Sequence, residues 1–234
     1  MSKNALIVGA GSGNSAAFAR VLAADGYRVV LAARNISKLE SLCAQIDAQA
    51  VSCDATSVES VADLFKSVEQ SVGKADVVLY NASAYTAGPI TDLDPGLVLD
   101  SLMQTAYGAF LVAQQAAIAM KQLGGGALFF TGATASIKGF PNFAPFAMGK
   151  FALRGLAQSL ARELGPENIH VAHFIIDGGI AAPGRDLSKP EADSNADDAE
   201  LEPDAIAHTY MAVLRQHRSA WTHEVDLRPW LENF

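Results

Sequence analysis

The chain has 234 residues, half of them hydrophobic and 18% charged, with a formal net charge of −8. That length supports one sizeable α/β core, and the acidic balance repels phosphate backbones, so nucleic acid is not an expected partner. Met1-Ser2-Lys3-Asn4 leads straight into apolar sequence without a signal pattern, and Gln104, Gln114, Gln115 and Lys121 punctuate the most hydrophobic stretch, so no bilayer span and a cytoplasmic location are expected.

Ala5–Val8 reads as a buried strand, and Ser15–Asp25 follows with helical spacing until Gly26 ends it. Arg28–Ala33 is the next strand. Ser37-Lys38-Leu39-Glu40 has capping-box form, which predicts a helix opening there. Ala50–Cys53 is a short strand, Val58–Val72 a helix closed by Gly73, and Asp76–Tyr80 a fourth strand. Asp94-Pro95 places an N-cap before a first-turn proline, so a long helix runs from there to about Leu123. Ala127–Thr131 is the fifth strand. Phe143–Leu164 is a helix closed by Gly165-Pro166, and His170–Ile176 is the sixth strand. Pro203–Gln216 is the last helix and Glu224–Leu227 a final strand.

Apolar strands alternating with amphipathic helices predict a Rossmann-type, doubly wound parallel sheet with helices on both faces. The whole span 1–234 reads as one such domain, with ligands at the carboxyl ends of the strands. Gly184–Asp204 interrupts the pattern, being rich in Asp, Glu, Ser and Ala. It is read either as a solvated loop or as a lid over the ligand crevice. Cys43 and Cys53 make no disulfide framework and are read as reduced thiols in or near the core.

Gly9-Ala10-Gly11-Ser12-Gly13-Asn14-Ser15 joins the first strand to the first helix. Glycines there allow a sharp turn and close backbone approach, and the helix N-terminus faces a pyrophosphate. This turn resembles the Gly-x-x-x-Gly-x-Gly of the short-chain dehydrogenase/reductase family, with Gly9 and Gly13 present and Ser15 in place of the third glycine. Asn14 replaces the family's usual apolar residue. The helix Ala152–Leu164 also resembles the family closely, and the likeness covers nearly the whole chain.

The resemblance implies a nicotinamide dinucleotide. Sites preferring NAD carry a carboxylate at the end of the second strand. Here Ala33-Arg34-Asn35 offers a guanidinium suited to a 2′-phosphate, so NADP(H) is expected ahead of NAD(H), with a plain surface cation as the alternative for Arg34. Cys53-Asp54 matches the family's adenine-contacting acid, and Asn81 and Ala82 match its Asn-Ala after the fourth strand, while Tyr80 and Ser83 depart from it. Asn81 is expected to tie the sheet together. The implied cofactor contacts are Gly9, Ser12, Gly13, Asn14, Arg34, Asp54, Asn81, Ala82, Lys150 and Gly178.

The family's Tyr-x-x-x-Lys is Phe146-Ala147-Met148-Gly149-Lys150 here, so the proton-donating hydroxyl is missing. The same alignment puts Ala133 at the family's serine and Thr105 at its asparagine, leaving Lys150 as the surviving member of the four. Asp177-Gly178 replaces the usual Pro-Gly after the sixth strand. Candidate replacement donors are Ser136, Thr134, Tyr107 and Tyr85. A lost general acid is worth roughly 10² to 10⁴ in rate and a lost oxyanion donor about 10² to 10³, so the usual carbonyl chemistry is weakened.

His170 and His173, three apart on a strand, fall on opposite faces and make a poor metal pair, and no metal is expected. Trp221, Trp230 and Phe234 are expected to pack the C-terminal segment. The faces of Thr105–Met120 and Ala152–Leu164 are read as core packing or, by the resemblance, as a homodimer or homotetramer interface. The expected function is an NADP(H)-preferring oxidoreductase of unknown substrate with an altered proton donor. The alternatives are a nucleotide-binding protein without turnover, serving as a redox sensor or structural partner, and an isomerase or lyase without net redox change.

Overall fold

The computed structural model describes residues 3–181 and 199–232. Its strands are β1 (Lys3–Val8), β2 (Tyr27–Ala33), β3 (Gln49–Ser52), β4 (Val77–Tyr80), β5 (Gly126–Thr131), β6 (Ile169–Ile176) and β7 (Glu224–Leu227). They form one parallel sheet in the order β3-β2-β1-β4-β5-β6-β7. The strands between the two sheet edges read as continuous apolar runs because both of their faces are covered. The order reverses between β1 and β4. A crevice therefore opens at their carboxyl ends, where ligands of such sheets bind.

The helices are α1 (Asn14–Ala24), α2 (Glu40–Ile46), α3 (Val58–Ser71), α4 (Pro95–Leu102), α5 (Gly108–Leu123), α6 (Ala144–Leu164) and α7 (Pro203–Leu214). One core layer packs Phe18 and Leu22 of α1 and Ile206, Tyr210 and Met211 of α7 against Ile7, Leu31, Phe129 and Phe174 of the sheet. The opposite layer packs α3, α5 and α6, through Leu64, Val112, Met120 and Leu153, against Leu6, Val30, Val78 and Phe130. Cys53 is buried, Cys43 is half-buried, and both are free thiols.

Local chemistry explains most element starts. Asp94 Oδ1 accepts the Leu97 N–H at 3.0 Å ahead of Pro95, and Ser57 Oγ accepts the Ser60 N–H at 3.2 Å at the start of α3. Ser37 does not cap as its pattern predicts. Asn35 Oδ1 takes the Ser37 N–H at 3.1 Å and the Ser37 hydroxyl at 2.7 Å, so an Asx turn leads through one 3-10 turn into α2 at Glu40.

The long helix is also not uniform: one π-helical turn, Met103–Tyr107, separates α4 from α5. The Tyr80 hydroxyl donates to the Gln104 carbonyl inside that turn, which supplies a partner for a carbonyl in the irregular stretch. The continuous helix Pro95–Leu123 is 29 residues long and, by length and composition alone, apolar enough to cross a membrane. This corrects the expectation that no segment reaches that length: its glutamines and single lysine lower the hydropathy less than its Leu, Val, Ile and Ala raise it. Its inward side, from Ala109 to Met120, is a wall of the core.

Of the C-terminal aromatics, Trp221 stacks on His170 with ring centroids 4.7 Å apart. Trp230 is 76% exposed, so it does not pack the segment as expected. Phe234 lies outside the described residues, as does the candidate lid through position 198. At the far end of that lid Leu201 is buried and bridges to Ile180, with the Ala181 N–H donating to the Leu201 carbonyl at 3.0 Å.

Candidate active site

The turn after β1 is shaped by Gly9. Its φ is +82°, and a Cβ there would stand 2.3 Å from the Ala82 backbone nitrogen, so only glycine brings β1 and the β4 loop this close. Gly11 and Gly13 differ: a Cβ at either meets nothing within 4 Å. Packing within the protein does not demand those two glycines, and they leave bare backbone facing open space at the N-terminus of α1. Ser15 replaces the family's third glycine by bonding back into the turn. Its Oγ accepts the Gly11 N–H at 2.8 Å and approaches the Gly11 carbonyl at 3.2 Å. Asn14 beside it is buried, and its Oδ1 has no hydrogen-bond partner among the described residues.

Two cavities meet at this turn. The larger, about 820 Å³, is walled by the glycine turn, Asn81, Ser83, the loop Thr131–Ala135, Lys150, Gly178 and an aromatic group of Tyr85, Phe140, Phe143 and Phe146. The smaller, about 300 Å³, is walled by Gly9, Arg34, Asn35, Lys38, Cys53, Asp54, Thr56 and Ala82. Asn81 and Ser83 border both, so the cavities are two halves of one trough along the strand ends. Every expected cofactor contact lies on this trough. Asn81 ties it to the sheet as expected: its N–H donates to the Val8 carbonyl at 2.8 Å and its Nδ2 to the Gly9 carbonyl at 3.2 Å.

Lys150 is buried and donates from Nζ to the Thr131 carbonyl at 2.8 Å. Burial lowers its pKa to about 8, because an ammonium loses its hydration there. Its Nζ lies 5.7 Å from the Phe146 ring centroid, so the ring faces that cation. Thr131 is held on its other side by the Tyr210 hydroxyl, 3.0 Å from its Oγ1. Thr105 is buried in the π turn, where its Oγ1 accepts the Ala84 N–H at 3.3 Å, and it does not border the cavity. In the smaller cavity the Thr56 N–H and hydroxyl bind the Asp54 carboxylate at 2.9 and 2.8 Å and hold its pKa below the usual range.

The structure sorts the four candidate proton donors. Thr134 and Tyr85 border the larger cavity. Tyr85 is exposed, its ring 5.3 Å from that of Phe146. Tyr107 does not reach the site, a correction to its candidacy: the π turn leaves it on the outer face of the helix, stacked on Phe110 at 6.3 Å. Ser136 is also corrected, because it is fully buried behind the cavity wall. Its Oγ accepts the Ala133 N–H at 3.1 Å and lies 3.3 Å from His173 Nε2.

His173 Nδ1 faces Glu224 at 3.0 Å, and Arg154 grips Glu224 with two bonds of 2.8 and 2.7 Å. With Glu224 ionised, His173 donates from Nδ1 and accepts the Ser136 hydroxyl at Nε2. Burial lowers the His173 pKa to about 4, while the Arg154 hydrogen bonds lower that of Glu224. Sequence inspection missed this chain, because its members lie 37 to 70 residues apart.

The model of the short chain dehydrogenase family matches residues 3–188. The chain belongs to this family. An uncharacterized oxidoreductase of Staphylococcus aureus (strain USA300) is 30% identical over 236 residues, covering 97% of each protein. A crystal structure of a short-chain dehydrogenase from Rhodopseudomonas palustris superposes with a TM-score of 0.81 at 33% identity, over 97% of this chain and 99% of that one. A metagenomic short-chain oxidoreductase, solved in complex with NADP, gives 0.83 at 26% identity over 98% of both chains. This short-chain dehydrogenase therefore shares its fold and length with these relatives.

Proposed function

We propose that this short-chain dehydrogenase is an NADP(H)-preferring oxidoreductase with a non-standard proton-handling group, acting in the cytoplasm as a homodimer or homotetramer. The observation that carries the reading is the two-part trough, with the glycine turn at its middle, Lys150 in its larger half and Arg34 in its smaller half. Its residues fit a nicotinamide dinucleotide. Gly11 and Gly13 leave space for a pyrophosphate at a helix N-terminus, and the orphaned Asn14 carboxamide borders that space. Arg34 and Lys38 offer two cations to a 2′-phosphate, and Asp54 lies nearby. The metagenomic relative at 26% identity is a complex with NADP, which supports the same assignment.

When bound, the nicotinamide supplies or accepts hydride. The chain's own residues do the rest. Lys150, which borders the larger cavity, would hold the ribose. Phe146 and Ala133 contribute shape and exclude water where the family places hydroxyls. The test is a fluorescence titration with NADPH and NADH. NADPH should bind more tightly, and Arg34→Ala should cut that preference by roughly 10- to 100-fold, the value of a charge-assisted pair. Failure of the folded protein to bind either nucleotide overturns the reading.

A further inference from the structure

β6 ends at Ile176, and Asp177 follows it where the family has proline. The Asp177 N–H donates to the Leu227 carbonyl at 2.7 Å, which fixes the residue at the carboxyl end of the sheet. Its side chain is buried, and a buried carboxylate is costly unless it is bonded. Thr134 Oγ1 donates to Oδ1, and Arg228 Nη2 stands 3.8 Å from Oδ2. Asp177 does not border the larger cavity, but Thr134 does, as do Ala133 and Lys150. The hydroxyl is thus interposed between the ligand space and a buried carboxylate.

The direction of that bond restricts what the hydroxyl can do. A threonine has one proton and two lone pairs. With the proton committed to Asp177, Thr134 faces the cavity as an acceptor. An acceptor suits a ligand O–H and not a carbonyl oxygen. The surrounding wall, Tyr85, Phe143 and Phe146, suits an uncharged aromatic or apolar body.

We propose that Thr134, backed by Asp177, accepts the hydroxyl proton of an alcohol substrate, replacing the tyrosine and serine that the family uses and this chain lacks. The proposal rests on the oxidoreductase reading above and names the residues that handle the proton. The alcohol O–H proton passes to Thr134 Oγ1, and the Thr134 proton passes to Asp177 Oδ1. A bound oxidised nicotinamide dinucleotide would supply the acceptor for the carbinol hydride. The products are a carbonyl compound, the reduced dinucleotide and a protonated Asp177, which returns its proton through Thr134 to the cavity. Thr134 is the catalytic residue of the pair, and Asp177 acts through it.

The test uses the full chain with NADP⁺ and 1-phenylethanol as the probe. Dinucleotide affinity is measured first: loss of binding in the wild type overturns the oxidoreductase reading itself. With binding present, the wild type should form reduced dinucleotide from 1-phenylethanol. Thr134→Val should lower kcat by roughly 10² to 10⁴ with dinucleotide Kd within about twofold, and Asp177→Asn should follow it. Thr134→Ser should recover most of the rate, because it restores the hydroxyl.

Infrared difference spectra against Asp177→Asn locate the carboxylate stretch, which should shift in Thr134→Val without any dinucleotide present. Full turnover in Thr134→Val overturns the proposal, as does an unshifted carboxylate band. So does a wild type that binds NADP⁺ yet leaves the alcohol unoxidised.

Discussion

At the scale of single residues, the two most constrained positions are Gly9 and Lys150. Gly9 combines positive φ with a backbone neighbour at 2.3 Å from its would-be Cβ, and backbone cannot swing aside as a side-chain tip can. Gly9→Ala should therefore destabilise the fold by more than about 2 kcal/mol, read as a large fall in Tm or loss of soluble protein. Lys150 gives the opposite pattern. Its pKa in the fold is about 8, below the ordinary 10.5, so folding disfavours its charged form. A group depressed in this way penalises the folded state increasingly as pH falls from 10.5 to about 8, and fully at pH 7. Lys150→Met removes that penalty along with one hydrogen bond to Thr131. Its Tm at pH 7 should equal or exceed that of the wild type, while dinucleotide affinity falls about tenfold or more. A stable protein with unchanged affinity would show that Lys150 is merely a core cation.

At the scale of elements, the segment Thr131–Ser136 matters most, because it is tied to four neighbours. Thr131 meets Lys150 and Tyr210, Thr134 meets Asp177, and Ser136 meets His173. His173 and Asp177 both come from β6 or its end, so that strand sets the height of the loop over the cavity. The Ser136–His173–Glu224 chain also gives stability a pH dependence. His173 titrates at 6.5 when unfolded and at about 4 when folded, so its contribution is complete above pH 6.5 and is lost as pH falls to about 4. Full loss is worth up to about 3 kcal/mol. Glu224, also lowered, adds its own loss only below its ordinary 4.5. Thermal melts between pH 7 and 4 should show a declining Tm, and His173→Gln should flatten the upper part of that decline. An unchanged slope would mean that other groups carry the acid sensitivity.

The same elements show what sequence can convey. The buried strands and the cap at Asp94 were legible because each is a local pattern of apolar runs or a side-chain acceptor. The trough was legible through Gly9, Gly13 and Arg34, placed next to strand ends, and through Lys150, placed by the resemblance to the family's Tyr-x-x-x-Lys. The π turn was not, since the Tyr80 hydroxyl that binds its Gln104 carbonyl comes from a different element, and Thr105 and Tyr107 both lie in that turn. The capping box at Ser37 failed because Asn35, two residues earlier, competes for the same N–H. Ser136 was legible as a hydroxyl near the site, but its burial depends on His173 and Glu224, far away in the chain.

At the scale of the whole molecule, the outer face of α5 and α6 exposes adjacent apolar stripes. Tyr107 of the π turn and Phe110, Gln114 and Ile118 of α5 follow one stripe at spacings of three and four, and all of them reach solvent. On the neighbouring α6, Met148, Phe151, Ala152, Gly155 and Ser159 make a second exposed stripe of apolar and small residues. Phe110 and Phe151 are each 44% exposed. Adjacent apolar stripes of this kind mark association surfaces in proteins that otherwise keep such groups scattered. A net charge of −8 opposes self-association, so apolar burial has to supply the contact. Gly155 and Ala152 permit close helix approach, which favours a two-fold pairing of α5 and α6 with their own copies. Light scattering on the purified protein should then report a dimer or tetramer. Phe110→Glu with Phe151→Glu places two like charges in each half of that contact and should yield monomer without disturbing the core, which neither ring enters. If the wild type is monomeric at micromolar concentration, these stripes face something other than a second copy of the chain.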